Sequence, residues 1–561
     1  MVFTFNSGDT STPPEVFNKK LFLVVLVATC GSIIFGYDLA FIGGVFSLPS
    51  FIDRFDLASQ NASAVQAHMV NSFQGGAFFG VMVVYFVNER WGRRFALLWA
   101  SVIFNVGVIL CMACRGSIPV FYVGRIISVA WGWVPRHLPS RSIYPSVLPR
   151  WREVELSVFE IGTQIGTITG FWINYGVQQT VSAISSISRP WLTKVMGEID
   201  SQGDKQWFIP IAFQFIPAGL MAVGLIFLSE SPRWLYAKHR TTEAATALTW
   251  LRQLPGDHPY LLKELSDYQR QMELEADLAP TDNLWAIIKE TFSPRMLPRV
   301  IHGCLLMILQ NSTGINAMNN FSVSFFNVLG FHGTLLSTGL YGIVKGVAAT
   351  ITFLFLIDRF GRRPLLFVGS VMCAFSMYYV AAFSSITDSF HTSQGPNSAS
   401  YSAVAFIYIF GAGYVCIFSS PVVSSKANPT QSVGWNIPWI IAAEIFPTRI
   451  RSFCLVLTTC SHWLGEFYTS YAVTYMFASI TYGTFIFFGT MTVIGGIYVY
   501  LLVPETKGVA LEDMDYLFGG KGLALQQMRR FREHQRETEV IEGRCGTPTE
   551  VELKEKELSL S

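Results

Sequence analysis

Charge is what this chain of 561 residues has least of. Asp, Glu, Lys and Arg make up only 14% of it, against 51% hydrophobic residues, where a soluble domain carries about 25% charged residues. The few charges are also bunched: 17 fall in residues 235–299 and 21 in residues 504–561. The rest of the chain holds too little charge for a water-facing surface. This excludes a soluble globular enzyme and a disordered protein. The net charge is +2, with no broad basic face to neutralise phosphates, which excludes a nucleic-acid binder. Cysteine is scarce at nine residues. Cys111 and Cys114 have CxxC spacing, but there is no second pair and their surroundings are apolar, so they read as small buried residues. No cleavable signal peptide is expected, because the apolar run from Leu21 continues past residue 45 without a cleavage site.

What the sequence does have is apolar length. A helix needs about 20 apolar residues to cross a bilayer. Candidate spans are 21–47, 68–87, 95–114, 118–134, 156–178, 208–228, 300–327, 335–357, 365–386, 403–446 (interrupted), 453–478 and 483–503. These twelve spans, six on each side of the charged segment 235–299, give an all-α membrane protein with both termini on one face. Lys19 and Lys20, the arginines between spans 2 and 3, and those between spans 8 and 9 all lie on that face, which makes it cytoplasmic. The glycosylation sequon Asn61-Ala62-Ser63 falls in an exterior loop. The domain expectation follows: a cytoplasmic tail (1–20), a six-helix half (21–234), a cytoplasmic helical linker (235–299), a second six-helix half (300–503) and a cytoplasmic tail (504–561).

The halves repeat each other. Glu89-Arg90-Trp91-Gly92-Arg93-Arg94 recurs as Asp358-Arg359-Phe360-Gly361-Arg362-Arg363, and Glu230-Ser231-Pro232 after span 6 is echoed by Pro504-Glu505 after span 12. The same motifs at matched places mean duplication, and parallel halves around a midplane site are a transporter design. The acids and arginines can pair across the halves and latch the cytoplasmic side.

Further residues carry a resemblance. Gly36-Tyr37-Asp38, Gly124-Arg125, Ser229 to Leu235, Gln310 with Gly314-Ile315-Asn316, Gly434-Trp435 with Pro438-Trp439, Glu444 with Pro447-Thr448-Arg449, and Pro504 to Gly508 join the two arginine motifs. Over residues 20–518 this pattern resembles the sugar porter family of the major facilitator superfamily, most nearly its fungal hexose-type, often proton-coupled members. The resemblance implies the major facilitator fold and uptake of a monosaccharide by alternating access. It implies no bond chemistry, cofactor or metal. The expected partners are a small-molecule sugar, H⁺ and the lipid bilayer, for a monomer in the plasma membrane. It also implies a cytoplasmic gate of Glu89, Arg90, Arg93, Arg94, Glu230, Asp358, Arg359, Arg362, Arg363, Glu444 and Arg449.

Two chemistries sit inside the spans. A carboxylate at a helix centre costs about 2.5–3.5 kcal/mol on insertion scales, so Asp38 is functional or paired. Arg125 matches the arginine that partners this aspartate in proton-coupled relatives. Protonation of Asp38 would release Arg125 and repack two helices; the plainer reading is a structural ion pair. Sugar hydroxyls need groups that donate and accept at once, as amides do. Gln310, Asn311, Asn316, Asn319 and Asn320 cluster on span 7. Gln310 and Asn316 match family substrate contacts, Asn311 replaces a common second glutamine, and Asn320-Phe321 replaces a usual Tyr-Tyr pair. Trp439 matches the family's ring-stacking tryptophan. Glu160 occupies a position where a substrate glutamine is common, with Gln164 one turn on. Glu160, Lys345 and Glu466 (beside His462 and Trp463) mark proton coupling, an acidic or polyol substrate, or a balanced internal pair. Rival functions are a quinate or polyol transporter and a transporter-like sugar sensor, although the 58 residues from 504 to 561 are short for a signalling tail.

Three stretches depart from the pattern. Residues 129–156 carry Pro135, Pro139, Pro145 and Pro149 where the family has Gly-x-Gly-x-Gly and then Pro-x-Tyr-x-x-Glu-x-x-Pro. Read one base earlier, Trp131-Gly132 and Trp133-Val134 each yield a glycine, so the stretch reads as a compensated frameshift. Val415 to Gln431 reads as a retained intron, with possible donor, branch and acceptor codons, and Val181 to Gln202 permits the same signals. If the messenger RNA encodes these stretches as written, the expectation is an inactive transporter.

Overall fold

The computed structural model describes residues 16, 18–57, 62–132, 149–184, 205–277, 284–331, 334–351, 362–387, 398–415, 437–447, 450–504, 517–518, 524, 526–531 and 533. All their regular elements are helices. The first half contains α1 (Lys19–Val45), short α2 (Pro49–Arg54), α3 (Ala62–Trp91), α4 (Arg93–Met112), α5 (Ile118–Gly132), α6 (Pro149–Ile184), α7 (Lys205–Phe213) and α8 (Phe215–Phe227). A linker follows: α9 (Pro232–Ala237), α10 (Thr241–Arg252), α11 (Pro259–Asp277) and α12 (Leu284–Thr291). The second half contains α13 (Leu297–Ser312), α14 (Ile315–Val328), α15 (Thr334–Ile351), α16 (Arg362–Ile386), α17 (Ser398–Val415), α18 (Ile437–Glu444), α19 (Arg451–Ser479) and α20 (Gly483–Leu502).

Seven of these stretches are long and apolar enough to cross a membrane: α1, α3, α4, α7 with α8, α15, α16 and α20. Helices α5 and α17 are shorter apolar ones. Their outer faces carry large exposed apolar side chains such as Phe22, Phe79, Leu220 and Phe227. No water-soluble protein exposes so much contiguous apolar surface, but lipid covers it at no cost. The remaining spans, α6, α13 with α14 and α19, carry most of the buried amides and acids. Their polarity is concentrated on faces turned inward.

The sequence repeat is also a repeat of packing. In the first half, α1 packs on α6 and α8, α4 on α5 and α8, and α3 on α5. In the second, α13 packs on α19 and α20, α16 on α17 and α20, and α15 on α17. Shifted by six spans, these are the same five contacts. Between halves, α3 packs on α19, α6 on α15 and α1 on α14, and the first two seams are again equivalents.

Small residues set the closeness of these contacts. A Cβ at Gly36 would stand 1.9 Å from the Thr163 carbonyl oxygen, and one at Gly166 would stand 2.1 Å from that of Ile33. Without the lipid-excluding drive that water gives, backbone proximity is how membrane helices gain dispersion energy.

Two spans differ from their sequence-based bounds in an informative way. The span expected over 300–327 is two helices that meet at Gly314, whose φ is +89°. Glycine adopts that left-handed angle without strain, and a side chain there would meet the Phe488 ring at 2.7 Å. The span expected over 208–228 is α7 and α8, joined at Gln214.

The linker is helical, as expected, and is anchored on α1. The Asn18 side chain accepts from Lys20 N and Leu21 N, both at 2.9 Å, which caps α1. Its Nδ2 donates to the Leu251 carbonyl oxygen at 2.8 Å. Within the linker, buried Arg252 donates to both Glu264 oxygens, at 3.2 and 2.9 Å. Burial works against the Arg252 charge, but the Glu264 carboxylate outweighs it and holds the guanidinium pKa above its usual value.

The irregular stretches 129–156, 181–202 and 415–431 fall mostly outside the described residues, as does the Asn61 side chain.

Candidate functional site

The break in α13–α14 places the candidate site. Unwinding at Gly314 lets residues on both sides of it face the middle of the bundle. A cavity there is lined by Phe35 and Leu39 of α1, Glu160, Thr163 and Gln164 of α6, and Gln310, Ile315, Asn316 and Asn319 around the break. Lys345 of α15, Tyr414 of α17 and His462 of α19 complete it. Both halves therefore contribute walls. Gln310 Nε2 donates to the Tyr414 hydroxyl at 3.1 Å. Gln164 Nε2 donates to Glu160 Oε1 at 2.7 Å, and Lys345 Nζ donates to Asn319 Oδ1 at 3.3 Å. Glu160 and Lys345 are both buried, at 8% and 6% exposure.

Of the seven substrate residues expected from sequence, Glu160, Gln164, Gln310 and Asn316 line this cavity, and Asn311, Asn320 and Trp439 do not. Asn311 Nδ2 stands 2.9 Å from His462 Nδ1 and 3.0 Å from the His462 carbonyl oxygen, so it ties α13 to α19. Its Oδ1 accepts from Asn316 Nδ2 at 2.6 Å, which puts it directly behind a cavity residue. Asn320 faces α19, with Nδ2 3.5 Å from Ser470 Oγ. The helical repeat explains this. Relative to Asn316, Asn319 lies about 60° to one side and Asn320 about 40° to the other, so Asn319 meets α15 and Asn320 meets α19. Trp439 packs edge-on against His462, centroids 4.7 Å apart, and reaches the cavity only through that ring. Sequence reasoning placed Asn319 in the amide cluster and weighed Lys345 as a mark of an acidic substrate or proton coupling, but did not assign Thr163, Tyr414 or His462 to the site. The signal available for His462 was a histidine inside an otherwise apolar span.

Asp38 and Arg125 do meet. Arg125 Nη1 lies 3.3 Å from Asp38 Oδ1, and both residues are buried. The guanidinium also sits over the Phe73 ring at 4.5 Å and the Phe41 ring at 5.4 Å, a favourable placement for a cation. Asp38 is not itself a cavity residue; its neighbours Phe35 and Leu39, on another face of α1, are. A change at Asp38 therefore reaches the cavity through a movement of α1.

A third buried acid lies at the α3–α19 seam. Gln74 Nε2 is 3.5 Å from Glu466 Oε1 and 3.0 Å from Ser470 Oγ, and His462 Nε2 is 3.6 Å from Glu466 Oε2.

In the region expected to be cytoplasmic, Glu230 fills the N-terminus of α4. Its carboxylate accepts from the backbone of Arg93 at 3.0 Å, of Arg94 at 3.1 Å and of Ser231 at 2.9 Å, where the helix dipole favours an anion. Gly92 has φ of +92°, and a Cβ on it would stand 2.7 Å from Glu230 Oε2. This is the physical reason for glycine in that motif. Arg93 Nη1 donates to Ser231 Oγ at 3.1 Å, and Arg94 donates to the carbonyl oxygens of Leu225 and Ile226, both at 2.9 Å, closing the end of α8. Glu89 and Arg90 are exposed at the end of α3. The bonds seen here run within one half rather than across the two. The side chains of Asp358, Arg359, Arg362, Arg363, Glu444 and Arg449 lie outside the described residues.

Comparison with known proteins decides the family. Residues 24–518 match the family profile described as "Sugar (and other) transporter". The chain belongs to the sugar porter family of the major facilitator superfamily. Among curated relatives of this porter is a "Probable quinate permease" of Aspergillus niger, 35% identical over 524 residues that cover 91% of this chain and 90% of the relative. The "Quinate permease" of Emericella nidulans is 32% identical over 547 residues, 96% of each chain. The fold is that of a proton:xylose symporter, XylE, bound to 6-bromo-6-deoxy-D-glucose, with 22% identity, a TM-score of 0.65 and coverage of 89% of this chain and 99% of that one. A partially occluded inward-open form of XylE from E. coli gives a TM-score of 0.66 at 20% identity, covering 88% and 100%. The porter is thus a multi-pass membrane transporter, not an enzyme.

Proposed function

We propose that this sugar porter imports a polyhydroxylated carboxylate of the quinate class together with protons. The observation that carries the reading is Lys345, a buried ammonium in a cavity whose other polar walls are amides, hydroxyls, a histidine and one acid. Amides suit vicinal hydroxyls, and a desolvated ammonium suits a carboxylate. A neutral hexose gives Lys345 nothing to pair with. The names of the quinate permeases support the same class. The hexose expected from sequence is the second reading, favoured by Gln310 and Asn316 on the cavity wall.

The Asp38–Arg125 pair couples transport to protons: a proton on Asp38 weakens its hold on Arg125 and frees α1 to shift against α5 and α6. The halves 21–234 and 300–503 rock about the cavity, with 235–299 and the tails 1–20 and 504–561 on the cytoplasmic side of the plasma membrane. A single chain is the working unit. Uptake of labelled quinate and labelled glucose, each in competition with the other, tests this. Quinate uptake should rise as external pH falls from 7.5 to 5 and collapse with a protonophore. Glucose uptake that excess quinate does not compete would select the hexose instead.

A further inference from the structure

The cavity holds one acid and one base on different halves of the molecule. Glu160 is on α6 and Lys345 on α15, two helices that form an inter-half seam. They line the same cavity. At this level the seam is tight: a Cβ at Gly346, next to Lys345, would stand 2.6 Å from Ile168 Cδ1 and 3.7 Å from Gln164 Cβ. An ammonium that pairs with Glu160 cannot give its full charge to a substrate carboxylate, and an ammonium left beside a neutral Glu160 can.

We propose that Glu160 is a proton-carrying residue separate from Asp38, and that its protonation transfers Lys345 from Glu160 to the substrate carboxylate. The step balances without a redox partner. A proton from the exterior adds to the Glu160 carboxylate, Lys345 stays an ammonium, and the incoming carboxylate takes the place of Glu160 as its counter-ion. One proton and one anion thus enter this site together, with no net charge added to the cavity. Gln164, which donates to Glu160, and Asn319, which accepts from Lys345, hold the two side chains in place during the exchange. Buried ionisable groups inside spans commonly form such proton relays.

Most other titratable groups near Glu160 are already engaged. From α1, the Tyr37 hydroxyl donates to the Pro210 carbonyl oxygen at 2.7 Å, and Asp38 is held by Arg125. From α15, Tyr341 packs its ring against Phe171 and leaves its buried hydroxyl without a hydrogen-bond partner among the described residues. The one titratable residue of α7 is Lys205, at its outer start. Across the cavity, Tyr414 is bonded to Gln310, and the two ring nitrogens of His462 face Asn311 and Glu466. Among the described residues, Lys345 is the cation left for Glu160 to balance.

This inference rests on the carboxylate reading above, and one experiment separates their failures. Equilibrium binding of labelled quinate and of its neutral carboxamide is measured on the purified full chain between pH 5 and 7. The wild type should bind quinate at least 10-fold more weakly at the upper end, and the carboxamide equally at both ends. Glu160→Gln, nearly isosteric and still able to bond Gln164, should hold the acid-side quinate affinity across the whole range. Asp38→Asn should keep the wild-type slope. Carboxamide binding shows that each variant is folded. A wild-type slope in Glu160→Gln, or a slope lost only in Asp38→Asn, overturns the proposal. A wild type that binds glucose but not quinate overturns the carboxylate reading itself.

Discussion

The two equivalent seams between the halves, α6 with α15 and α3 with α19, share a packing geometry and differ in chemistry. The first opens onto the cavity and sets an acid against a base, Glu160 and Lys345. The second closes over a single acid, Glu466, approached by the neutral donor Gln74 and by His462. Duplication supplies the helices and their contacts, and individual side chains then give the two seams different chemistry. A buried carboxylate tolerates either solution, provided that a cation or a set of hydrogen-bond donors replaces its lost water.

The largest effect is expected at the buried pair inside the first half, against which both seams are measured. Arg125→Leu leaves Asp38 buried without its cation and should cost about 3–5 kcal/mol, read as a fall in thermal unfolding temperature in detergent. Asp38→Asn combined with Arg125→Leu should recover most of that stability while concentrative uptake stays lost. A single variant that melts like the wild type would show that the pair does not hold α1 to α5.

Next comes the charged seam. Lys345→Met removes an ammonium worth about 1.5–3 kcal/mol as a charged hydrogen-bond donor, so quinate affinity should fall by about 10-fold or more. Binding of the neutral carboxamide should change by no more than about threefold. Equal losses for both ligands would erase the chemical difference between the seams.

Gly92→Ala tests a contact away from both. It forces a side chain into a left-handed backbone and against Glu230, at about 1–3 kcal/mol, visible in melting but not in substrate affinity. A matching loss of affinity would mean that the α4–α8 junction already sets the cavity shape.

The smallest effect belongs to the α3–α19 seam. Glu466→Gln keeps an acceptor for Gln74 and His462, so stability should move by about 1 kcal/mol or less and the pH slope of quinate binding should not move. A slope that vanished here would make Glu466 the proton carrier and reverse the comparison.

Much of this was legible in sequence because lipid leaves few choices. Apolar runs of about 20 residues must become helices, so spans, the repeat and the broad identity of the polar ones could be read from hydropathy and motif. The Asp38–Arg125 pair was legible for the same reason, since neither charge survives alone in an apolar span. The cavity wall was less so. Asn316, Asn319 and Asn320 look alike along the chain, yet α14 lies between α15 and α19, and turns each to a different neighbour. Trp439 and Asn311 end one side chain behind the wall, because His462, from a helix far along the sequence, stands in front of them.

The sequence by itself determined the membrane fold, its duplication and which buried charges needed an answer, because burial in lipid penalises every unsatisfied group wherever it lies along the chain. Only the tertiary structure decided which charge answers which. Glu160 and Lys345 are 185 residues apart in sequence and line one cavity because the seam between the halves brings α6 onto α15. The reach of electrostatics in a low-dielectric interior is set by distance in space, and no pattern along the chain encodes that distance.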